Sequence, residues 1–421
     1  MKNFNFEEIS EKCVKCGKCK PTCTIFGISG DEVSSPRGFL DLIGAYKRNE
    51  LKLDKNAKKI FESCFLCTNC VSVCPSDLPT DEMIENIRAK IADKFGIAWY
   101  KKAFFTLLKN RKLMDLAAKF GFVFQSCGFK IYNDEMKPKF SLPLVKKERL
   151  LPSVKKTSFL NSHPEFINNG GDKTIGIFIG CMANYAYSDV GEGLLKICKA
   201  LKINVHLMKD QACCGAPAYF TGDFDTVRQN AKKNIEYFEK LLEKINAIII
   251  PEATCSAMIK VDYERFFQND EVWNKKAKSV AQKIFMASEY FVKQTNLVQI
   301  LAQKGANLAQ KTQITYHDPC HAKKMQGIFN EPRELLSQIY NIKEIGDNMS
   351  CCGFGGVTMQ SENYHLSRQV GLKRATQIIS TNTHCVSAEC SACKMQLNNA
   401  LNLQGSDMRC ENWVELIARV L

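Results

Sequence analysis

Two runs of four cysteines share one spacing in the opening part of the chain. Cys13, Cys16, Cys19 and Cys23 are arranged C-x2-C-x2-C-x3-C, and Cys64, Cys67, Cys70 and Cys74 repeat that arrangement 51 residues later. Zinc also favours Cys-x2-Cys pairs, but it takes four ligands as two pairs, not two triplets each trailed by a fourth. Iron-sulfur clusters therefore match the pattern better. The 21 cysteines could instead build a secreted disulfide framework, yet such chains are short and follow a signal peptide, and "MKNFNFEEISEKC" has no apolar core to serve as one. The thiols are expected to be reduced, cytosolic and largely bound to metal.

The doubled spacing resembles that of two-cluster bacterial-type ferredoxins, in which three close thiolates hold one iron-sulfur cube and the fourth crosses to the other. The resemblance implies that Cys13, Cys16, Cys19 and Cys74 bind one [4Fe-4S] cluster, and Cys64, Cys67, Cys70 and Cys23 the other. Pro75 follows Cys74 as in that family. Thr24 stands after Cys23 where proline is usual, but proline shapes the turn and supplies no ligand.

A longer repeat fills the remainder. Cys181, Cys213-Cys214-Gly215 and Cys255 recur as Cys320, Cys351-Cys352-Gly353 and Cys390, at offsets of 139, 138 and 135 residues, so one module occurs twice. The second copy adds Cys393 in "CSAC"; the first has Met258 in "CSAM". Each cysteine group follows a β-type run: "TIGIFIG", "INVHLM" and "NAIIIPEAT" in the first copy, "QITYHDP", "IKEIG" and "HCVSAE" in the second. Helical periodicity intervenes, as in "DTVRQNAKKNIEYFEKLLEKI" and "YHLSRQVGLKRATQII". Alternating strands and helices imply parallel sheets whose strand ends converge on one edge. There the adjacent cysteines can join their neighbours around one cluster, glycine removing a Cβ beside the inorganic core or permitting positive φ. Helix N-termini just past the strands would turn N–H groups toward it. A vicinal disulfide is the alternative, strained and without purpose in a reducing compartment.

Cys, Cys-Cys-Gly and Cys-x2-Cys at these intervals resemble the CCG domain of heterodisulfide reductase-type iron-sulfur proteins. The whole order, two ferredoxin motifs separated by "GDEVSSPRG" and followed by two such modules, resembles the iron-sulfur subunits of the glycolate oxidase family. The resemblance implies an α+β and α/β protein: an all-helical-type two-cluster ferredoxin domain (1–95), a basic helical and irregular linker (96–172), and two α/β modules with short parallel sheets (173–310 and 311–421). It implies a noncubane [4Fe-4S] cluster on Cys320, Cys351, Cys352, Cys390 and Cys393. With Met258 at the fifth position, Cys181, Cys213, Cys214 and Cys255 are left to hold an ordinary four-thiolate cluster, zinc, or nothing stable. The implied role is electron transfer from a flavoprotein that oxidises a 2-hydroxy acid such as glycolate or lactate, towards a quinone. Two related readings are a heterodisulfide reductase-like catalytic subunit and the iron-sulfur subunit of anaerobic glycerol-3-phosphate dehydrogenase.

No catalytic side chain is assigned. His317 and His321 flank Cys320 in "YHDPCH", placed either to serve the cluster or to fasten a turn. Cys127, Cys198, Cys385 and Cys410 lie outside every motif and read as small buried hydrophobes. "GFGG" at 353–356 lacks the Lys-Ser/Thr of a phosphate loop, so the chain is not expected to bind nucleotide or flavin itself. The net charge of +14 asks for an anionic counterpart, in part the clusters themselves; no recognition motif for nucleic acid occurs. "WYKKAFFTLLKNRKLMDLAAKFGFVF" (99–124) reads as one or two basic, aromatic-rich helices, fit to lie on an anionic membrane surface, to dock on a partner, or to cover the protein's own core. Lys130 to Lys156 reads as irregular, broken by Pro138, Pro143 and Pro152. No apolar run approaches the ~20 residues of a spanning helix, so the expected location is cytoplasmic or peripheral on the inner face of the membrane.

Overall fold

A computed structural model describes residues 6–141, 144–347 and 349–421. Before residue 129 the regular elements among the described residues are all helical. Helices are short where cysteines crowd, as at Cys19–Thr22 and Asn69–Ser72, and long where an apolar stripe recurs, as at Pro36–Lys47 and Thr80–Phe95. The two cysteine loops repeat in backbone as they do in sequence. Lys15 and Leu66 take φ of 54° and 51°, and Gly17 and Thr68 take 78° and 56°. Left-handed backbone at three non-glycine residues is costly unless the surroundings impose it, and its recurrence shows that both loops wind alike. "GDEVSSPRG" braces the first loop: Glu32 pairs with Lys20 at 2.5 Å and Arg37 at 2.8 Å, while Arg37 donates to Lys15 O at 3.0 Å. Gly38 is required there, because a Cβ would stand 2.1 Å from Glu32 O.

The segment read as irregular contains an antiparallel sheet of β1 (Phe129–Tyr132), β2 (Glu135–Pro138) and β3 (Leu151–Pro152). Asn133 makes the two-residue turn between the first two with a φ of 52°. Pro138 and Pro152 sit at strand ends, where they cost no ladder hydrogen bond; Pro143 lies outside the described residues. The strands are half exposed and lysine-bearing, so no apolar alternation announces them.

The first module is a sheet of β4 (Phe166–Ile167), β5 (Thr174–Ile177), β6 (Asn204–Leu207), β7 (Ala247–Ile250) and β8 (Ile284–Met286), in the order β4-β6-β5-β7-β8. All pairs are parallel except β4 with β6. The second is β9 (Gln313–Tyr316), β10 (Asn341–Ile342), β11 (Val386–Ser387) and β12 (Cys410–Glu411), all parallel, in the order β10-β9-β11-β12. Apart from β4 the two orders are the same, so the repeat is one of fold. "IKEIG" does not form the strand its composition predicts beyond Ile342: Glu344 is drawn off to Arg333 at 2.7 Å, and the chain leaves the sheet edge.

Three buried cores hold these parts together, and each crosses a border between them. One joins Phe39, Phe61 and Ile84 of the helical region to Val386 and Leu397 of the second module. Another joins Ile175 and Val205 of the first module to Ile314 and Trp413 of the second. A third packs Phe105 and Leu108 against the outer face of the first module, at Phe178 and Phe238. Buried Arg88 ties the helical region inward, donating to Phe61 O at 2.9 Å, Cys64 O at 2.7 Å and Phe220 O at 2.9 Å. Arg88→Met would leave those carbonyls unpaired in a dry site and is expected to cost about 3 kcal/mol, read as a lowered denaturant midpoint.

Candidate metal centres

In the helical region Cys13, Cys16, Cys19 and Cys74 line one hollow, and Cys23, Cys64 and Cys67 line a second; Cys70 borders both. Each hollow thus takes three thiols from one run, with Cys74 and the shared Cys70 of the other run in the first hollow and Cys23 of the other run in the second. Burial pushes the Cys23 thiol up to about 12 and the Cys64 thiol up to about 11. Thiols so disfavoured as free anions are held as thiolates only by a positive centre among them. The Cys64 sulfur already accepts from Leu66 N at 3.4 Å, the amide that the left-handed turn aims inward.

In both modules the cysteines stand just past the carboxyl ends of the central strands. Cys181 opens the helix Cys181–Tyr185 after β5, Cys213 and Cys214 follow β6, and Cys255 lies in Ala253–Ala257 after β7. Correspondingly Cys320 opens Cys320–Gln326 after β9, Cys351 and Cys352 follow β10, and Cys390 and Cys393 stand at the start of Ser391–Leu403 after β11. Gly215 and Gly353 take φ of 93° and 90°, the conformation expected for them. A Cβ on Gly353 would meet Gly371 N at 2.8 Å and Ser367 O at 2.9 Å, whereas one on Gly215 would make ordinary contact with Val227 at 3.7 Å. Gly353 admits a neighbouring helix, and the amides of both glycines turn back to sulfur, Gly215 N to Cys213 at 3.5 Å and Gly353 N to Cys351 at 3.3 Å.

The thiols of each module touch in series. In the first, Cys213 is held well below the usual thiol range by hydrogen bonds from Cys181 and Cys214, and Cys214 also contacts Cys255. In the second, Cys351 contacts Cys320 and Cys352, and Cys352 is held low by Cys351 and Cys393, which touches Cys390. Both sets open into one cavity of about 220 Å³ between the modules. Its walls are largely apolar, from Phe104, Leu108, Phe220 and Phe354, with Glu252, Thr254 and His321 the charged and hydrogen-bonding exceptions. Cys67 of the helical region reaches the same cavity and hydrogen-bonds Cys351. The facing of the modules is fixed by two buried carboxylates: Glu252 accepts from Ser391 N at 2.7 Å, and Glu389 accepts from Ser288 N at 3.0 Å. Met258 does not line the cavity; it is buried in the first module's outer core, so the first set offers four sulfurs and the second five.

Family models match this architecture: a 4Fe-4S dicluster domain over residues 9–78, and a CCG cysteine-rich domain twice, over 175–260 and 314–398. The chain thus carries a 4Fe-4S dicluster domain and two CCG domains. Among curated relatives, a probable glycolate oxidase iron-sulfur subunit of Bacillus subtilis is 28% identical across 82% of this chain and 79% of its own. One subunit of a fumarate reductase (CoM/CoB) of Methanothermobacter marburgensis is 26% identical across 96% of this chain and 71% of its own. Lactate utilization protein A of Oceanobacillus iheyensis is 26% identical over 58% of this chain and 96% of its own.

The donor sets suit iron-sulfur centres in both kinds of domain: each gathers four or five sulfurs around a common hollow, and most sulfurs of the CCG domains are buried. The second CCG domain also holds His317, buried, with a ring nitrogen within 4.8 Å of the Cys352 and Cys393 sulfurs. Arg374 Nε donates to its Nδ1 at 3.1 Å and fixes that ring. His321 instead spans the CCG domains, its Nδ1 3.1 Å from Thr254 Oγ1. His317 thus stands among the thiols of the second CCG domain, and His321 at the contact between the two CCG domains. Of the four unassigned cysteines, Cys198, Cys385 and Cys410 are buried as expected, but Cys127 is exposed on the Arg111–Gly128 helix.

Three polar residues at the centres carry no signal strong enough to single them out from sequence. Thr24, in the place of the usual proline, sets its hydroxyl 3.2 Å from the Cys67 sulfur of the other run. Thr254 stands 3.7 Å from the Cys390 sulfur. Lys324 is one helical turn past Cys320, a spacing visible in "CHAKK"; although burial opposes its charge, Cys320, Cys67 and Cys351 hold its pKa up. Its ammonium is fixed by Asn69 Oδ1 and by Met349 O at 3.0 Å, between the dicluster domain and the second CCG domain. A cation so placed favours the more negative, reduced state of any centre nearby. Lys324→Met is expected to lower the midpoint potentials of the two adjacent centres by on the order of 50–100 mV at an effective dielectric near 20, measured by redox titration followed by electron paramagnetic resonance.

Proposed function

We propose that the chain is the iron-sulfur electron-transfer subunit of a flavin-linked dehydrogenase of 2-hydroxy acids, of the glycolate or lactate type, delivering electrons towards a quinone. One observation carries the reading: the thiol sets are contiguous, running from the dicluster hollow that bears exposed Cys16, through the second hollow, to Cys67 against Cys351 and the shared cavity. Electron transfer needs centres lying close together in a dry medium, and this chain supplies four sulfur-lined sites that adjoin. In this reading Cys13, Cys16, Cys19 and Cys74, and Cys64, Cys67, Cys70 and Cys23, hold the two dicluster [4Fe-4S] centres. Cys320, Cys351, Cys352, Cys390 and Cys393 hold a five-thiolate centre, and Cys181, Cys213, Cys214 and Cys255 a four-thiolate one.

Bound there, the clusters would supply one-electron chemistry. The residues around them do the rest. Leu66, Gly215 and Gly353 give amide hydrogen bonds to sulfur, Thr24 and Thr254 place hydroxyls beside it, and Lys324 and Arg374 place fixed positive charge close by. All of these stabilise added negative charge. Phe104, Leu108, Phe220 and Phe354 exclude water from the innermost pair of sites. No described helix is long and apolar enough to cross a membrane, so a quinone would be met at a surface.

Anaerobically purified protein is expected to carry about eight irons on the dicluster domain and four to eight more on the CCG domains. Cys352→Ser should remove one centre's resonance signal, leave the dicluster signals intact and cut delivery from the flavoprotein to a quinone analogue to near background; unchanged turnover with every signal present would refute the assignment. A second reading, catalytic reduction of a disulfide, is favoured by the cavity itself, since both CCG thiol sets face one apolar space. Disulfide reduction with reduced viologen that Cys393→Ser abolishes would decide for it, and absence of that activity against it.

A further inference from the structure

The helix Arg111–Gly128 departs from the usual rule for a surface helix: it turns Arg111, Asp115 and Gln125 inward beside Met114, and most of its large apolar side chains outward. Inward, Asp115 accepts from Tyr185 Oη at 2.8 Å and Asn161 Nδ2 at 3.0 Å, Arg111 donates to Lys209 O at 3.1 Å, and Gln125 bonds Val154 through both amide atoms. Outward, Leu113, Leu116, Phe120, Val123 and Phe124 recur at helical spacing, with Phe120, Val123 and Phe124 exposed by 57%, 63% and 59% and the two phenyl rings stacked. None of the helix is fully buried. An apolar stripe so oriented is a surface waiting to be covered.

The charges around it select the cover. Between residues 99 and 147 there are eleven Lys and Arg against three Asp and Glu, a net eight of the chain's +14. Lys112 and Lys119, one heptad apart, run along one border of the stripe, and the single carboxylate on the helix, Asp115, is engaged on the far side. Trp99, 81% exposed, begins the preceding helix Trp99–Lys109, and Ile131 and Tyr132 of the β1–β2 hairpin, which follows Arg111–Gly128, are also exposed. Aromatic and aliphatic side chains bordered by lysines, with aromatics at both ends, are the composition of a helix that lies in a membrane interface and draws on anionic headgroups.

We propose that the Trp99–Tyr132 arm is a monotopic binding surface for an anionic lipid bilayer, with the Leu113, Leu116, Phe120, Val123, Phe124 stripe inserted at the headgroup boundary and Lys112 and Lys119 on the lipid phosphates. This stands independently of the electron-transfer reading. The arm also adjoins the shared cavity, because Phe104 and Leu108 of Trp99–Lys109 line it, so the lipid-facing helix follows directly on a wall of that cavity.

The test is sedimentation of the cluster-loaded full chain with phosphatidylcholine vesicles, with and without phosphatidylglycerol. Binding is expected only to the anionic vesicles, falling with added salt. Lys112→Glu with Lys119→Glu is expected to weaken it by about tenfold or more, and so is Phe120→Ser with Phe124→Ser, with iron content unchanged in both. Because the lysine pair is exposed and outside the core, full binding by that variant would overturn the proposal even if the aromatic variant failed to fold. So would an absence of binding to anionic vesicles, or a wild-type dimer that Phe120→Ser with Phe124→Ser dissociates while vesicles bind neither form, which would assign the face to a second copy of the chain.

Discussion

The contact between Cys67 and Cys351 joins a loop of the dicluster domain to the adjacent-cysteine turn of the second CCG domain, and most of the architecture can be read as what is needed to make it. Two sulfurs from sites far apart in sequence come together only if the domains share a core, and they do: Phe61 and Ile84 pack in one cluster with Val386 and Leu397. Thiols that can ionise also need positive charge nearby, and Lys324 supplies it from the helix that Cys320 opens. Removing water strengthens that attraction and equally raises the cost of any thiol left without a cation or a metal. The same burial that makes these sites suited to centres at close range thus makes the empty sites unfavourable, so loading with metal and folding are linked.

How much of this is legible in the sequence follows from how local each signal is. The dicluster loops are legible because their information lies in eleven consecutive residues each, and the structure repeats even the left-handed turns at Lys15 and Leu66. The CCG sheets are legible because β5, β7 and β9 are short apolar runs ending at a cysteine, as buried parallel strands must be. The facing of the two CCG domains rests on pairs such as Glu252 with Ser391, 139 residues apart, and no periodicity encodes such a pairing. The β1–β2 hairpin escapes a sequence reading for a different reason: its strands are half exposed and carry lysines, so the alternation that marks a strand with one buried face is absent.

Particular residues show where a local rule met a nonlocal constraint. Cys127 reads from sequence as a small buried hydrophobe because most free cysteines are; the helix that carries it buries the other face, since Asp115 and Gln125 find partners only there. Met258 is aligned with Cys393 in sequence but not in surroundings. In the first CCG domain the helix continues into a π-helical turn, Met258–Asp262, and the thioether packs among Phe178, Ile248 and Tyr263. Gly353 is expected to lie beside a cluster, and its missing Cβ makes room for Ser367 and Gly371 of the helix Tyr364–Ile379. In each case the residue type is right for its backbone, and only the identity of the neighbour is hidden.

The charge balance carries the synthesis one step further. A net charge of +14 leads one to expect anionic clusters within the protein to answer part of it. The residues that do so are few: Lys324 by Cys67, Cys320 and Cys351, with Arg374 against His317 and Arg88 against Cys64 O. The greater part of the excess lies between residues 99 and 147; Lys101 and Arg111 there are turned inward, onto Glu362 and Lys209 O, and most of the other lysines are exposed. Charge placed there does little for a centre across a packed core, because solvent and salt screen it within about 10 Å. It acts outward, on whatever surface the arm meets. Positive charge is thus used in two ways in this chain: a few buried cations fixed at sulfur, where each shifts a redox equilibrium, and many exposed ones on an apolar arm, where together they orient the molecule.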